Sequence, residues 1–380
     1  MPSAATHARH AVALIFALHG FIWGSWVPHI PLAKERIGAG EGVFGLALLA
    51  FAGGAVIAMP LAGGLINRFG SAAMTTVAGI GFFAAFLGPV VAPDLASFIA
   101  LGFVYGAFIG SMDVAMNAHG LLVEKTLRIP TMSLYHGLFS VGGFAGAFAG
   151  AAALQVMGER THVLLCAGLC LALHLLACRA LLPSRLDRGL SDTHFGWPTR
   201  ATIGLGLLCF LALMAEGSII DWTAIMLTQR FAIDAGTAAL GYGLFSAGMA
   251  ATRLLGDGWR QRFGAVRLVA VSAAISAVSM VVALAMPNPA ASIVALGLVG
   301  LGVGNLAPVL FAGGGRLEPE APGRGIAAVT TLGYAGFLAG PPLIGFTAEV
   351  TGLTLALGLT AVATVIIALA ARAVAPADTY

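Results

Sequence analysis

The chain has 380 residues, of which 59% are hydrophobic and 9% charged, with a formal net charge of +3 and a mean hydropathy of +0.96. Soluble domains carry about 25% charged residues, so this composition excludes a soluble globular protein. The small positive balance gives no reason to expect a nucleic-acid partner.

Windows of about 20 apolar residues, each long enough to cross a hydrocarbon core of roughly 30 Å as a helix, follow one another along the chain. Twelve spans are predicted. The first, at 9–30, contains "AVALIFALHGFIWGSWVPHIP" and follows Arg9 much as a signal peptide would. It has no small-residue cleavage site and its length suits a full span. Spans at 43–66, 72–91, 96–122, 132–156 and 162–182 come next, then the polar stretch "LPSRLDRGLSDTHFGWPTR" at 182–200. The remaining spans are 201–228, 238–257, 265–286, 290–314, 325–347 and 353–374. With both termini cytoplasmic, fifteen of the nineteen Lys and Arg lie inside, and only Lys34, Arg36, Arg160 and Arg230 lie outside. The positive-inside rule selects that orientation. Four cysteines, Cys166, Cys170, Cys178 and Cys209, all fall within spans and form no disulfide framework.

The polar stretch lies near the midpoint, which divides the chain into a six-helix bundle at 1–182, a cytoplasmic linker at 183–200 and a second six-helix bundle at 201–380. Internal similarity supports the division. "IGAG" at 37–40 is echoed by "IDAG" at 233–236, "RFG" at 68–70 by "RFG" at 262–264, and "GFAGAFAG" at 143–150 by "GYAGFLAG" at 333–340. Parallel halves with a site at their interface are a transporter design.

Twelve helices, a central cytoplasmic loop and "GGLINRFG" at 63–70 between spans 2 and 3 resemble the major facilitator superfamily. Gly63, Arg68 and Gly70 match the spacing of that superfamily's short loop signature, but Asn67 stands where the family usually has aspartate. The corresponding loop, "DGWRQRFG" at 257–264, holds Asp257 and Arg262 but carries Gln261 at that place. The charge-based part of the family's conformational latch is thus in question in both halves. "DVAMNAHG" at 113–120, "HGLFSVGG" at 136–143, "EGSIIDW" at 216–222 and "GYAGFLAGPPLIGF" at 333–346 resemble the MosC-like group, distantly similar to fucose permeases. The resemblance implies an all-α membrane fold of two pseudo-symmetric halves and transport of a small solute, with sugars or cyclitols as the substrate class.

Only three carboxylates lie well within the spans, and each needs a partner or a water-filled cavity. In span 4, Gly102, Gly106, Gly110, Asp113 and Asn117 recur every three or four residues and share one face. The glycines allow close approach of a neighbouring helix. Asp113 reads either as a buried structural acid or as a protonatable site, with His136 as a candidate partner. Glu216 and Asp221 in span 7 are five residues apart, about 140° of net rotation, and cannot share a face; Glu216, at the centre, is expected in the cavity. His19 in span 1 sits near the repeat-equivalent of Glu216. Trp23 and Trp26 follow it, as sugar-stacking rings or, more commonly at such depth, interface anchors. Asn305, with Pro308, suggests a bent, cavity-lining helix and a ligand residue.

Cys166, Cys170, His174 and Cys178 recur at i, i+4, but four such residues span about 18 Å of helix and cannot converge on one metal ion. Arg253 and Asp257 read as a local ion pair, and Glu320 and Arg324 as solvated loop charges.

These features predict a secondary active transporter working by alternating access. Asp113 and Glu216 are the proton-coupling candidates; His19, Trp23, Asn117, His136, Asn305 and Asp221 are the substrate-binding candidates. Gly63, Asn67, Arg68, Gly70, Arg253, Asp257 and Arg262 are the structural loop residues. No phosphate loop, HExxH or GxSxG occurs, which argues against ATP drive and against an enzyme. A multidrug or metabolite efflux antiporter, an intramembrane enzyme and a non-transporting receptor stay open as alternatives. The expected partners are a small-molecule substrate, protons and the bilayer of the bacterial inner membrane. No cofactor and no metal are expected, and the chain is expected to act as a monomer.

Overall fold

The structure is a computed structural model that describes residues 2–189 and 198–378; part of the predicted linker, 190–197, lies outside the described residues. All regular elements among the described residues are helical. In chain order they are α1 (Pro2–Trp26), α2 (His29–Arg36), α3 (Glu41–Phe69), α4 (Ser71–Ala85), α5 (Leu87–Val91), α6 (Leu95–Leu127), α7 (Met132–Val156) and α8 (Glu159–Cys178). After a 3-10 turn at Ser184–Leu186 follow α9 (Ile203–Phe231), α10 (Ala235–Phe263), α11 (Ala265–Ala285), α12 (Pro289–Val303), α13 (Leu306–Leu317), α14 (Pro322–Thr351), α15 (Leu353–Ala356) and α16 (Gly358–Leu369). A second 3-10 segment, Ala371–Asp378, ends the described chain.

Nine helices among the described residues are long and apolar enough to cross a membrane, and two bent pairs raise the number to eleven. The predicted eighth span falls on α10, which is 29 residues long but carries Arg253, Asp257, Arg260 and Arg262 and is too polar to be counted with them. Besides span 3, which divides at Phe86 between α4 and α5, three predicted spans are broken. Span 1 does not run on to residue 30: α1 stops at Trp26 and α2 leaves at 45°, with Pro28, which has no N–H to donate, at the corner. Span 12 stops at Leu369, and Ala371–Asp378 turns away by 54°. Span 10 is interrupted at Gly304–Asn305, with Pro308 in the first turn of α13, where a missing N–H leaves no intrahelical bond unmade.

The chain forms two compact units, Met1–Ala39 with Ala47–Thr193, and Gly40–Leu46 with His194–Tyr380. Backbone-on-backbone glycine seams bind the helices within each. In the first unit, a Cβ placed on Gly24 of α1 would lie 2.0 Å from the Gly143 carbonyl oxygen of α7, and one on Gly146 would lie 2.0 Å from that of Phe21. Between α3 and α6, Gly54 would meet the Phe103 oxygen at 2.1 Å and Gly106 the Phe51 oxygen at 2.0 Å. The second unit repeats this between α10 and α12, where Gly248 faces the Gly297 oxygen at 2.2 Å and Gly300 the Phe245 oxygen at 1.9 Å. Gly54 and Gly248, Gly106 and Gly300, and likewise Phe51 and Phe245 are each 194 residues apart. The internal repeat is therefore visible in the contacts themselves, because only glycine permits such approach at both copies.

The two "RFG" loops are built alike. Gly70 (φ +86°) and Gly264 (φ +79°) take left-handed conformations that lead into α4 and α11. Arg68 lies over the Phe69 ring and Arg262 over the Phe263 ring, at 5.1 and 5.3 Å. An acid from the end of each unit then caps the following helix. The Ser71 N–H donates to Asp187 at 3.0 Å, and the Ala265 N–H donates to Asp378 at 2.5 Å. Arg188 donates to the Arg68 carbonyl, and Arg260 and Arg316 both donate to the Ala377 carbonyl, which ties down each segment. The loop acid missing at Asn67 and Gln261 is thus matched by a carboxylate arriving from elsewhere, aimed at exposed helix N–H groups. Asp187→Ala and Asp378→Ala are each expected to lower stability by about 1 kcal/mol, read as a fall in Tm of detergent-purified protein. An unchanged Tm in both would remove this capping role.

Candidate functional site

The polar residues inside the helices form two sets, one in each unit. In the first unit α6 presents Asp113 and Asn117, one turn apart. The Asn117 amide donates to the Asp113 carboxylate at 3.2 Å and to its backbone carbonyl at 2.8 Å, so Asn117 orients the acid. The glycines on this helix face α3: Gly106 and Gly110 pack against the backbone of Phe51 and Ala55, and Gly102 against the Phe51 ring. Asp113 and Asn117 are both half-buried.

His19 is buried in α1, its Nδ1 3.2 Å from the Met116 sulfur, with the Phe82 and Phe139 rings edge-on to it. Its Nε2 has no partner among the described residues. His136 is half-buried, with the Phe16 ring edge-on at 5.3 Å. Trp23 is half-buried, whereas Trp26 is 2% exposed and packs between Phe51 and Phe98. The interface-anchor expectation therefore fails for Trp26: its position near the end of an apolar run suggested a membrane boundary, but its ring belongs to an aromatic cluster inside the unit.

In the second unit the central acid of α9, Glu216, accepts from Arg253 of α10 at 3.3 Å, with both side chains 12% exposed. Sequence spacing offered Asp257, one turn away on the same helix, as a partner of Arg253; the guanidinium reaches Glu216 on a neighbouring helix. Asp221 is half-buried on α9, beside the fully buried Trp222 that meets the Phe44 ring edge-on. Asn305 is 4% exposed at the break between α12 and α13. Its Oδ1 sits against Gly256 of α10, and its Nδ2 has no partner among the described residues. Gly63 is buried in α3, while Asn67 and Arg68 are exposed.

Around the ends of the helices, carboxylates hold local structure. Asp94 caps α6 and Asp234 caps α10, and hydrogen bonds from Ser97 and Thr237 respectively hold their carboxyls below the usual range. Glu318 accepts from Arg324 and from Thr199, which also lowers its carboxyl. Arg324 reaches Glu318 and, like Glu320, stays exposed, as expected of solvated loop charges. Glu124 accepts from the N–H groups of Thr131 and Met132 at the start of α7. Among the described residues no group of three or more His, Cys, Asp or Glu could hold a metal ion, and the four cysteines are free thiols.

One polar constellation had no counterpart in the sequence reading. His29, Glu159, His162 and Arg36 meet between α2 and the start of α8. His29 and His162 are 133 positions apart, and no local spacing connects them; Pro28 immediately before His29 is the one signal of a change in direction.

Membrane helices in two repeated units, each with ionisable residues buried among glycine-packed helices, define the architecture of a membrane transport protein. The sequence matches the Major Facilitator Superfamily over residues 12–205 and again over 205–379, and the chain belongs to that family. It is 35% identical over 376 residues to an uncharacterised MFS-type transporter of Yersinia pestis, covering 95% of this chain and 94% of that one. It is 32% identical over 356 residues to the membrane protein MosC of Rhizobium meliloti, covering 91% and 85%. Among solved structures it resembles the nucleoside transporter NupG, with a TM-score of 0.73 at 12% identity, covering 97% and 98% of the two chains. It also resembles a bacterial homologue of the human lysosomal transporter Spinster, with a TM-score of 0.72 at 15% identity, covering 97% and 96%. These two likenesses bear on the fold alone.

Proposed function

We propose that this protein is a proton-coupled secondary active transporter that moves a small polar solute, sugar- or cyclitol-like, by alternating access. Residues 1–182 and 201–380 act as its two halves, and 183–200 as their linker. It works as a monomer in a bacterial plasma membrane, with both termini in the cytoplasm, the side that receives fifteen of nineteen Lys and Arg.

The ion pair of Glu216 with Arg253 carries the reading. Two opposite charges withdrawn from water hold each other only while both are charged. Protonation of Glu216 releases the guanidinium, and its loss restores the pair, which is what a coupling acid must do. Asp113, oriented by Asn117, supplies a second carboxylate in the other unit. The mix of His19, Asn117, His136, Asp221, Asn305 and Trp23 suits a hydroxylated solute, which amide and imidazole groups bind by hydrogen bonds and an indole ring by stacking.

A stabilisation screen of purified protein across sugars, cyclitols, amino acids and drugs identifies the solute, and uptake into liposomes under an imposed pH gradient then tests coupling. Asp113→Asn combined with Glu216→Gln is expected to abolish gradient-driven accumulation while exchange of labelled for unlabelled solute persists. Accumulation at the wild-type level in the double variant would remove the coupling assignment.

A further inference from the structure

At the end of α8 opposite the linker, the corner at Pro28 places His29 against the first turns of that helix. His29 is fully buried, and His162 and Cys166 are 5% and 8% exposed. The His29 Nδ1 lies 3.0 Å from a Glu159 carboxylate oxygen, and its Nε2 lies 3.0 Å from the His162 Nδ1. The two imidazoles lie edge to edge and nearly coplanar, with centroids 5.2 Å apart and planes 16° apart. Arg36 holds the other Glu159 oxygen. One turn beyond His162, the Cys166 thiol interacts with the Cys170 thiol and with that ring, and lies 3.5 Å from the Ser25 hydroxyl, which donates to the Gly146 carbonyl. The Phe86 ring stands edge-on to His29 and helps keep water away.

The hydrogen bonds admit two complete arrangements. A ring nitrogen facing a carboxylate carries its hydrogen, so the His29 Nδ1–H donates to Glu159 in both. In the first arrangement His29 and His162 are neutral: the His162 Nδ1–H donates to the His29 Nε2, and the His162 Nε2 accepts from the Cys166 thiol. In the second, one proton has been added. His29 carries hydrogen on both nitrogens and donates from Nε2 to the His162 Nδ1; His162 holds its hydrogen on Nε2 and donates to the Cys166 sulfur, while the thiol hydrogen turns to Ser25. The pair of rings holds two ring hydrogens in the first state and three in the second, and no buried donor or acceptor loses its partner in either. A buried charge is costly unless it is paired; Glu159 supplies the pairing.

We propose that His29 and His162 form a proton-binding site, distinct from Asp113 and Glu216, in which Glu159 is the counter-charge and a tautomer change of His162 accommodates the added proton. The groups facing it are few. α8 contributes Glu159, His162, Cys166 and Cys170, and α2 contributes Arg36. The five residues of α5 and the last fourteen of α7 carry no titratable side chain, and Tyr105 of α6 lies near Cys166. Arg36 opposes proton entry by sharing Glu159. On the orientation chosen by the charge distribution, the site stands at the outer face, where protons would enter. It involves no solute-binding residue and is independent of the transport reading above.

The test is a nitrogen-15 histidine spectrum of the purified full-length protein in detergent, followed from about pH 5 to pH 8, the range in which histidine ordinarily changes charge. His29→Gln and His162→Gln assign the signals. The expected result is that His29 gains a second hydrogen and His162 moves its hydrogen from Nδ1 to Nε2 at one common midpoint. Glu159→Gln should weaken proton uptake by the pair at least about tenfold, the equivalent of one pH unit. If Glu159→Gln does not fold, His29→Gln takes its place, and the tautomer change of His162 must then vanish. Two rings that keep one tautomer throughout, or that titrate at separate midpoints unmoved by these substitutions, overturn the proposal.

Discussion

Gly24→Ala is expected to lower the Tm of the purified protein sharply and Gly24→Val to prevent folded protein from accumulating, whereas Gly53→Ala should leave Tm unchanged or raise it slightly. The distinction rests on what a single added carbon would meet. At Gly24 it would lie 2.0 Å from the Gly143 carbonyl oxygen and 2.7 Å from the Ala147 nitrogen. Both are backbone atoms in the middle of α7, so relief requires the two helices to separate along the whole seam. Overfilling a packed interior by a methylene or two costs about 1–3 kcal/mol, and stability is only about 5–15 kcal/mol in total. The seam includes Gly20, Gly142 and Gly146, each as tightly placed, so a shift at Gly24 is felt at every one of them. Gly53 is the control because nothing lies within 4 Å of its Cβ position, while adjacent Gly54 would meet the Phe103 oxygen at 2.1 Å. At Gly53 alanine brings only its better helix propensity, worth up to about 1 kcal/mol relative to glycine. Equal Tm values for Gly24→Ala and wild type would mean that the seam is not a determinant of the fold.

What could be read in the sequence follows from what a helix reports about itself. The stripe of Gly102, Gly106 and Gly110 is periodic within one helix, so its close-approach face was legible, and the structure supplies its partner, α3. The kink expected around Asn305 and Pro308 was legible for the same reason, since glycine and proline act on their own backbone. Partners were not legible. Asp257 is legible beside Arg253 because both lie on α10, whereas the ion pair of Arg253 with Glu216 crosses 37 positions of sequence. His29 and His162 are separated by 133 positions and are brought together only by the turn at Pro28. Trp26 shows the limit from the other side: an aromatic residue near the end of an apolar run looks the same whether it faces headgroups or, as here, Phe51 and Phe98. Polarity also hides a helix. α10 is as long as α3, but it is not apolar enough to be counted as a membrane span.

Arg253→Leu is expected to be the most damaging single change in the second unit, and Glu216→Gln with Arg253→Gln together less damaging than Arg253→Leu alone. Removing one member of a buried pair leaves the other charge in a poorly solvated place, at a cost of about 3–5 kcal/mol, whereas replacing both removes the demand for pairing. With only 12% of each side chain exposed, water cannot take over the missing partner's role. A double-mutant cycle on Tm and on denaturant midpoints should therefore show a coupling of about 0.5–3 kcal/mol between the two positions. Additive effects would reduce the pair to two unrelated neighbours. The same variants separate holding the fold from carrying the proton. A double variant that folds, exchanges solute and ignores a pH gradient assigns the pair to coupling. One that folds and still accumulates solute against the gradient leaves the pair a purely structural tie between α9 and α10 and moves the coupling role to Asp113, the carboxylate that Asn117 holds in the first unit.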